Sequence, residues 1–489
     1  MKRSLGAAKA YLKGSIRRRT DALLPRREIR DYQRWITERQ TSRKVIYTRE
    51  PSPGLFSILT PVWNGSPIKY LRELARSISV QNANGASEWV VLDNGCSNTK
   101  LLEYLRELRS QPGVKLVQAE ANLGITRGLR RCLEEASGQY VMPVDGDDLL
   151  YPDALRISAS VVKETGFPPL LYTDEDKVIG SRVYQPYFKP DWDPVLLLNS
   201  AYIAHLGVID RAKALALGVY SDPATEGSPD WDLFVRFLRA GHFAVHIPEI
   251  VYSWRVHVSS TADDPATKPY ILSSQRCVLQ GFLNAHPKGK LFDIEKSPLL
   301  GDAHWHFRRK EEQPKPFAKI SGGDLDQCRQ KARSVLEQDG FVYFMGGDVQ
   351  VDNPSWQWEA LGITELHPDT VMVGGLIRNS QGQIVEAGLQ FDPDGVCTNP
   401  NYGKPANDPG YFGQTWKQRS VGAVSTRFAA VKARFLIELL GQSQADASLA
   451  RLGTFAGAYA AETGRRIVYT PFLSALSNVD WDQPVSGSN

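Results

Sequence analysis

Three aspartates at the end of a short apolar segment constrain this chain more than any other feature. Residues 140–144 read Tyr-Val-Met-Pro-Val, which has the length and composition of a buried strand. The strand is followed by Asp145, Asp147 and Asp148. Carboxylates crowded at one strand end repel each other unless a positive charge lies among them. A divalent cation is one explanation, because hard cations bind carboxylate and phosphate oxygens. An aspartate-rich turn that precedes a helix near Pro152 is the other.

The chain around this strand alternates between strand and helix patterns. Apolar strands are predicted at residues 55–60, 89–92 and 114–118, with helical spacing of leucine and isoleucine between them. This alternation predicts a parallel, doubly wound α/β sheet, in which ligands bind beyond the carboxyl ends of the strands. The side chains expected at that edge are Thr60, Pro61, Asp93, Asn94, Asp145 and Asp147. Neither GxGxxG nor GxxxxGK[ST] is present, so a nucleotide held by side chains and a metal is favoured.

The length and composition of the chain are those of an ordinary globular protein of two or three domains. The chain has 489 residues, of which 42% are hydrophobic, and no apolar stretch approaches the roughly 18 residues that would span a bilayer. No signal-peptide pattern opens the sequence, so a cytoplasmic protein is expected. The five cysteines are scattered without CxxC spacing, which predicts reduced thiols rather than disulfides or a zinc site.

Positive charge is concentrated at the start of the chain. Residues 1–30 contain ten Lys or Arg against two acidic residues, a balance of +8, whereas the whole chain is only +4. Such a basic, partly amphipathic arm is a candidate contact to the anionic inner face of the cytoplasmic membrane, and a solvated leader is the alternative. Nucleic acid is disfavoured as a partner, because no basic face is evident in the rest of the sequence.

Residues 170–257 add acidic and aromatic strings. A predicted strand at 170–172 ends in Thr-Asp-Glu-Asp-Lys, and residues 187–192 mix aromatic and charged side chains in a way typical of saccharide-binding surfaces. An acidic turn and an ordinary aromatic loop are the alternative. Asp230 lies near the start of a predicted helix, where it is either a functional carboxylate or a cap.

Together these strings resemble a known family. Residues 51 to about 265 are similar to family 2 glycosyltransferases of the GT-A fold, in the group of bacterial surface-polysaccharide enzymes that includes many rhamnosyltransferases. The strings that carry the resemblance are Leu-Thr-Pro-Val-Trp-Asn (59–64), Leu-Asp-Asn-Gly (92–95), Asp-Gly-Asp-Asp (145–148), Tyr-Thr-Asp-Glu-Asp-Lys (172–177), Phe-Lys-Pro-Asp-Trp (188–192), Asp-Trp-Asp-Leu (230–233) and Trp-Arg-Val-His (254–257). Their order and spacing make the match specific.

The resemblance implies roles for individual residues. Asp147 would be the direct ligand of Mg²⁺ or Mn²⁺, and His257 would complete the metal or diphosphate contacts. Asp230 would be the general base of an inverting transfer. The residues implied in nucleotide-sugar binding are Thr60, Pro61, Asp93, Asn94, Asn122, Gly124, Arg127 and Asp145. Those expected to bind the acceptor are Asp174, Glu175, Asp176, Lys189, Trp192 and Trp231. The chain departs from the family pattern at Asn94, Cys96, Arg130 and Pro229.

The expected function is therefore transfer of a hexose-type sugar to a bacterial surface glycan such as O-antigen, lipopolysaccharide or capsule. The donor would be a dTDP-, UDP- or GDP-sugar, with rhamnose favoured by family frequency, and the acceptor a glycan or lipid-linked glycan. The alternative is a catalytically inactive GT-A protein that binds glycan or organises an assembly complex. Asn94 is compatible with this alternative, because family members commonly carry an acidic residue at that position. A sugar-nucleotide pyrophosphorylase is disfavoured, because residues 63–67 offer no glycine-rich basic loop.

The second half of the chain resembles a degraded internal repeat. Residues 317–326 are matched to 114–123, and residues 341–354 to 140–152. In this copy the acidic cluster is replaced by Gly-Gly-Asp-Val-Gln at 346–350, which predicts a domain without the metal site. The predicted organisation is a basic helical arm (1–50), a GT-A domain (51–312), a truncated, degenerate GT-A-like α/β domain (313–480) and a polar tail (481–489).

Overall fold

A computed structural model describes residues 26–81, 87–256, 269–353, 355–442 and 448–478. The chain divides into two compact units. Unit 1 comprises residues 1–197 and 201–282, and unit 2 comprises residues 198–200 and 283–489. Most of the basic arm (1–25), His257 and the tail at 481–489 lie outside the described residues. Among the residues that are described, no helix is long and apolar enough to cross a membrane.

Unit 1 is built on a nine-stranded sheet. Its strands are β1 (Phe56–Val62), β2 (Ser87–Asn94), β3 (Val114–Ala119), β4 (Tyr140–Pro143), β5 (Leu149–Leu150), β6 (Leu170–Ile179), β7 (Arg182–Tyr187), β8 (Gly207–Asp210) and β9 (Val245–Arg255). Its helices are α1 (Arg26–Ile46), α2 (Ile68–Ser79), α3 (Thr99–Arg109), α4 (Gly124–Glu135), α5 (Ala154–Glu164), α6 (Pro194–Asn199), α7 (Arg211–Ala216) and α8 (Pro229–Arg239), followed by α9 (Pro269–Ala285), which continues into unit 2.

The strand order in unit 1 is β3-β2-β1-β4-β8-β6-β9-β5, with β7 paired to β6. Strands β1 to β4 are mutually parallel, which confirms the doubly wound half that the alternating pattern predicts. Strand β8 then runs antiparallel to both β4 and β6. The sheet is therefore mixed beyond β4, and the end of β4 lies beside the start of β8.

Helix α1 packs against the rest of unit 1 through buried ion pairs of its arginines. The Arg43 guanidinium is fully buried and donates to both carboxylate oxygens of Asp153, at 2.6 and 2.8 Å, and to the Ile250 carbonyl at 2.8 Å. One turn earlier, Arg39 Nε donates to Glu249 at 3.1 Å. Tyr32, in the second turn of the helix, donates to Asp176 at 2.6 Å. Helix α1 is thus bonded to the rest of unit 1 at Tyr32, Arg39 and Arg43.

Unit 2 has a second mixed sheet of eight strands and two short ribbons. Its strands are β10 (Phe292–Ser297), β11 (Gly301–Arg309), β12 (Phe317–Ile320), β13 (Phe341–Met345), β14 (Gln350–Val351), β15 (Thr370–Arg378), β16 (Ile384–Glu386), β17 (Gln390–Phe391), β18 (Cys397–Thr398), β19 (Arg419–Val421), β20 (Phe428–Lys432) and β21 (Arg466–Leu476). Its remaining helices are α10 (Leu325–Leu336), α11 (Trp356–Leu366), α12 (Ala433–Leu440) and α13 (Leu449–Glu462).

The sheet of unit 2 repeats the strand order of unit 1. Its order is β12-β13-β20-β15-β21-β14, with β16 paired to β15. Each neighbouring pair has the same parallel or antiparallel sense as the corresponding pair in β1-β4-β8-β6-β9-β5. Strands β2 and β3 have no counterpart among the described strands of unit 2. These six strands therefore have the same order and sense in both sheets.

The sequence match between residues 317–326 and strand β3 is wrong, because β12 has the position of β1 in the sheet. Residues 317–326 were expected to correspond to β3 and the turn after it, but β12 pairs in parallel with β13 as β1 pairs with β4. β3 and β12 are each followed by one helix and then by a strand, β4 or β13. The spacing of the sequence patterns therefore does not distinguish β3 from β1 as the counterpart of β12. Pro354, the last residue of the segment matched to 140–152, lies outside the described residues.

Candidate functional site

Two carboxylates and one imidazole converge at the carboxyl end of β4. Potential ligand atoms of Asp145, Asp148 and His205 all lie within 4.8 Å of one another, and Asp145 Oδ2 is 4.0 Å from His205 Nε2. His205 precedes β8, whose antiparallel course beside β4 brings the ring to this end of the sheet. The aspartate-rich turn and a histidine 60 residues away in sequence therefore form one cluster.

The cluster is electrostatically crowded, as the run of aspartates predicts. Burial, together with the charges of Asp145 and Asp147, raises the pKa of Asp148 well above its usual range. Burial alone would lower the pKa of His205, but the ion pair with Glu175 at 3.3 Å and the charges of the aspartates raise it to about 9. Without a cation, the imidazole is therefore protonated near neutral pH and offsets part of the carboxylate charge. A cation bound by a ring nitrogen of His205 would displace the proton.

Strand β9 holds the buried carboxylate in place. Asp148 accepts hydrogen bonds from the Tyr252 hydroxyl and from the Arg255 backbone N–H, the latter at 2.7 Å. The Tyr252 ring also stacks on the His205 ring, with centroids 4.6 Å apart. Arg255 donates to the Asp147 carbonyl and to Glu73. These contacts fix the turn that carries all three aspartates.

The donor set fits a hard divalent cation. Carboxylate oxygens are the ligands that Mg²⁺ and Mn²⁺ prefer, and the Asp145 side chain is 51% exposed, which leaves one side of the cluster open to ligand oxygens. The group differs from the predicted pair. Asp147 is half-buried and is not one of the three converging residues, and His257 lies outside the described residues. Asp148 and His205 are the residues that converge with Asp145 in the described part of the chain.

Asp230 is the second residue of α8, so it lies in the first helical turn as predicted. Burial raises the pKa of Asp230 to about 6, with an opposing effect from His205 and a further increase from Asp145. The charges of His205 and Asp145 therefore act on the predicted base. A carboxylate with a raised pKa is a stronger proton acceptor than an exposed one.

Most predicted nucleotide-binding residues meet at the ends of β1 and β2, where several are occupied by internal hydrogen bonds. Thr60 is fully buried and donates to the Val144 carbonyl at 2.9 Å. Asp93 accepts from the Cys96 N–H at 2.9 Å. Pro61 is half-buried beside Gly128. These residues form the floor of the strand-end region.

The loop before α4 forms the adjoining wall of this region. Asn94 accepts from the Leu123 N–H at 2.8 Å and donates to the Gly124 carbonyl at 3.0 Å. Asn122 accepts from the Gly124 N–H at 2.9 Å, and Arg127 on the first turn of α4 is exposed. The amide at position 94 therefore ties β2 to the loop, a role that needs both a donor and an acceptor.

The residues expected to bind an acceptor are largely buried and bonded to one another. Asp174 accepts from the Lys189 N–H at 2.9 Å and contacts the His246 ring at 2.8 Å. Asp176 accepts from three hydroxyl groups, including Tyr32 at 2.6 Å. Burial raises the pKa of Asp176 to about 7. Both carboxylates are buried and hydrogen-bonded within the fold around β6.

The other members of that predicted set lie in different surroundings. Glu175 faces His205, and the pKa of Glu175 is held at about 2 because Lys189 and His205 outweigh the effect of burial. Trp231 is 1% exposed and its indole N–H donates to the Leu197 carbonyl at 2.7 Å. Trp192 is half-buried, and its Nε1 has no hydrogen-bond partner among the described residues.

The register of the two sheets identifies the equivalent positions in unit 2. Val141 pairs with Ile209 in unit 1, and Val342 pairs with Val431 in unit 2. Counting along these strands places three residues where unit 1 has Asp145, Asp148 and His205, and they are Gly346, Val349 and Arg427. All three candidate ligands are thus replaced, one of them by a cation.

Sequence reasoning missed His205 and ranked Asp148 below its neighbours. The Ala-His-Leu string around His205 carries no motif, and its position became informative only when β8 was seen to pair with β4. For Asp148, the available signal was burial. It directly precedes the apolar strand β5, which pairs with β9 in the interior of the unit.

The parallel strands β1 to β4, the mixed sheet beyond them and the carboxylates at the end of β4 define unit 1 as a GT-A domain. Residues 57–167, which lie within unit 1, match the family model described as Glycosyl transferase family 2. The resemblance predicted from the sequence strings is therefore confirmed.

Several curated proteins are similar to this chain. The uncharacterized protein y4gI of Sinorhizobium fredii is 27% identical over 461 residues, which cover 81% of this chain and 50% of that protein. The O-antigen biosynthesis protein RfbC of Myxococcus xanthus is 29% identical over 250 residues, 49% of this chain and 19% of that protein. The poly(ribitol-phosphate) beta-N-acetylglucosaminyltransferase TarS of Staphylococcus aureus is 32% identical over 149 residues, 30% of this chain and 26% of TarS.

The chain thus spans half or less of the length of these relatives. Among solved structures, S. aureus TarS 1–349 in complex with UDP-GlcNAc aligns with a TM-score of 0.38 and 22% identity. That alignment covers 47% of this chain and 72% of the TarS chain.

Proposed function

We propose that unit 1 transfers a sugar from a nucleotide-sugar donor to a hydroxyl group of a bacterial surface glycan. The match of residues 57–167 to the family 2 model supports the reaction class, and the names of the relatives RfbC and TarS support surface-polysaccharide synthesis as the setting. The donor would be a dTDP-, UDP- or GDP-sugar, rhamnose being one candidate sugar, and the acceptor a glycan or lipid-linked glycan.

The carboxylate cluster supports metal dependence. Asp145, Asp148 and His205 would hold Mg²⁺ or Mn²⁺, with Asp147 adding negative charge to the same turn. When bound, the cation would offset the charge that develops on the departing nucleoside diphosphate. Arg255 and Tyr252 would keep the turn fixed as that charge changes, because they bond its backbone and its buried carboxylate.

The observation that carries the proposal is the placement of Asp230 in the first turn of α8, electrostatically coupled to Asp145 and His205. Its raised pKa, about 6, lets the carboxylate accept a proton from an acceptor hydroxyl while remaining largely ionised at neutral pH. We assign it the role of general base. A single base acting without a protein nucleophile implies one displacement at the anomeric carbon, and hence inversion.

Residues 313–480 are proposed to be a non-catalytic scaffold or acceptor-binding domain. Gly346, Val349 and Arg427 at the register-equivalent positions support this role, since none of them is a carboxylate or imidazole ligand. The GT-A domain itself is proposed to extend over residues 51–312. Residues 1–30 remain a proposed contact to anionic membrane.

The proposal is tested by nucleoside diphosphate release from UDP-GlcNAc, UDP-glucose, dTDP-rhamnose and GDP-mannose with Mn²⁺. Octyl glycosides of glucose, rhamnose and N-acetylglucosamine serve as acceptors. We expect one donor to be used, with an anomeric configuration in the product opposite to that of the donor. Asp230→Asn should abolish transfer and leave Mn²⁺-dependent nucleotide binding unchanged in calorimetric titration.

Asp232→Asn is the matched control. It makes the same chemical change on the same helix, but Asp232 pairs with Arg236 at 2.6 Å instead of facing the cluster. Transfer by Asp230→Asn at the wild-type rate would refute the base role. Absence of both release and nucleotide binding in the wild type would favour the inactive, glycan-binding alternative.

A further inference from the structure

Glu226 connects the start of α4 to the segment that leads into the general base. Its two carboxylate oxygens accept from consecutive backbone N–H groups, Ile125 at 2.7 Å and Thr126 at 3.0 Å. These groups belong to the first turn of α4, where backbone N–H groups have no partner within the helix. Glu226 is about 100 residues away in sequence and only four residues before Asp230.

The approach of Glu226 depends on the absence of a side chain at Gly124. A Cβ atom at this position would lie 2.8 Å from Glu226 Oε1, and the glycine has a φ of +80°. On the other side of the same turn, Asn94 accepts from the Leu123 N–H and donates to the Gly124 carbonyl. The start of α4 is therefore held between the end of β2 and the Glu226 carboxylate.

The three residues between Glu226 and the base, Gly227, Ser228 and Pro229, have little freedom. The 3₁₀ turn Pro223–Thr225 precedes Glu226, and the Ser228 N–H donates to the Thr225 carbonyl at 2.9 Å. Ser274 of α9 donates to the Ser228 hydroxyl at 3.0 Å. The Asp232 N–H then donates to the Ser228 carbonyl at 3.1 Å, which joins the segment to α8. Displacement of the Glu226 carboxylate would therefore be transmitted to Asp230.

We propose that Glu226 is a positioning residue that sets the general base relative to the nucleotide-binding end of β2 and α4. This inference rests on the proposed function, because it gives Asp230 the base role. A carboxylate suits the task because both oxygens accept, whereas a glutamine would direct its NH₂ group at one of the two N–H donors. While Glu226 is in place, the Ile125 and Thr126 amides are also closed to donor phosphates, so the diphosphate must be held elsewhere.

The test compares Glu226→Gln with Glu134→Gln. Glu134 lies on the same helix, but its pairing with Arg130 is on the surface. Hydrolysis of the active donor to nucleoside diphosphate gives kcat and KM, and calorimetry gives the Kd of UDP with Mn²⁺. For Glu226→Gln we expect kcat to fall by about 10- to 100-fold, with KM and Kd within about twofold, because misplacement of a catalytic group by about 1 Å has an effect of this size. Glu134→Gln should match the wild type.

Two further measurements separate positioning from simple destabilisation. In Glu226→Ala, added acetate should restore several-fold of the lost kcat by occupying the vacated place at α4, while formamide should not. Hydrogen exchange should accelerate in residues 122–128 and 226–235 together in Glu226→Gln. If Glu226→Gln does not fold, Glu226→Asp is used instead, since it keeps the charge and shortens the reach by one methylene.

Each outcome has a distinct meaning. A kcat for Glu226→Gln equal to that of Glu134→Gln would overturn the inference and leave the proposed function standing. A rise in Kd as large as the fall in kcat would also overturn it, because the defect would then lie in nucleotide binding. A wild-type protein that releases nucleoside diphosphate from no donor, with or without acceptor, and binds no nucleotide would refute the proposed function, and the inference with it.

Discussion

Replacing Arg43 with alanine should weaken the packing of helix α1 against the rest of unit 1. The guanidinium is fully buried and makes three hydrogen bonds, two to Asp153 and one to the Ile250 carbonyl, and it also lies 3.6 Å from Glu249. Removing one partner of a buried ion pair leaves the other charge without compensation, which typically costs about 3–5 kcal/mol.

The contacts that remain place the expected loss at the lower end of this range. In the variant, Asp153 would still form an ion pair with Arg156 at 3.6 Å, and Glu249 would still form an ion pair with Arg39. We therefore expect a loss of about 3 kcal/mol, which for a unit of this size corresponds to a fall of about 6–12 °C in the unfolding midpoint. Arg34 on the same helix is exposed, so Arg34→Ala should change stability by about 0.5 kcal/mol or less.

Calorimetry of the full chain with each substitution measures this difference. Proteolysis of the native protein provides a local readout, since a loosened α1 should be cleaved between residues 46 and 55 faster than in the wild type. If Arg43→Ala and Arg34→Ala shift the first transition equally, the buried ion pair does not anchor the helix and the reasoning is refuted.

Two further predictions concern the site. Transfer should decline as the pH falls below about 6, to about one tenth of its plateau at pH 5, because Asp230 acts as a base only when ionised. Glu175, with a pKa of about 2, stays ionised across this range, and a flat rate from pH 5 to 8 would contradict the assignment. Asp148→Asn and His205→Ala should each weaken Mn²⁺ binding by about tenfold or more, measured by titration with the ion alone. Arg427→Ala in unit 2 should leave Mn²⁺ binding unchanged, and a similar loss in that variant would refute the site.

Local patterns in the sequence were sufficient for the first half of unit 1. The strands around Thr60, Asp93 and Asp145 were predictable because apolar runs ending in polar residues, separated by helices, specify parallel strands with their polar ends at one edge. The crowding of carboxylates at the end of β4 was likewise predicted from charge alone, and it appears in the raised pKa of Asp148.

Features that depend on strand pairing were not predictable in this way. His205 joins the site because β8 runs antiparallel to β4, and no local pattern encodes that pairing. Asp174 and Asp176 carry the composition of a polar surface, yet hydrogen bonds from distant residues such as Tyr32 allow them to be buried. Glu226 escaped notice for the same reason, since its partners on α4 are about 100 residues away.

The missing counterparts of β2 and β3 have a consequence for the solubility of unit 2. In unit 1, β1 is covered by β2, but on the corresponding side of unit 2 the last described strand of the sheet is β12. A strand with an open edge can pair with another chain and promote aggregation. β12 is only four residues long and presents Lys319 to solvent, and both features oppose such pairing. Phe317 at its start is 47% exposed, so Lys319→Val would create a short apolar edge and should increase self-association at high concentration.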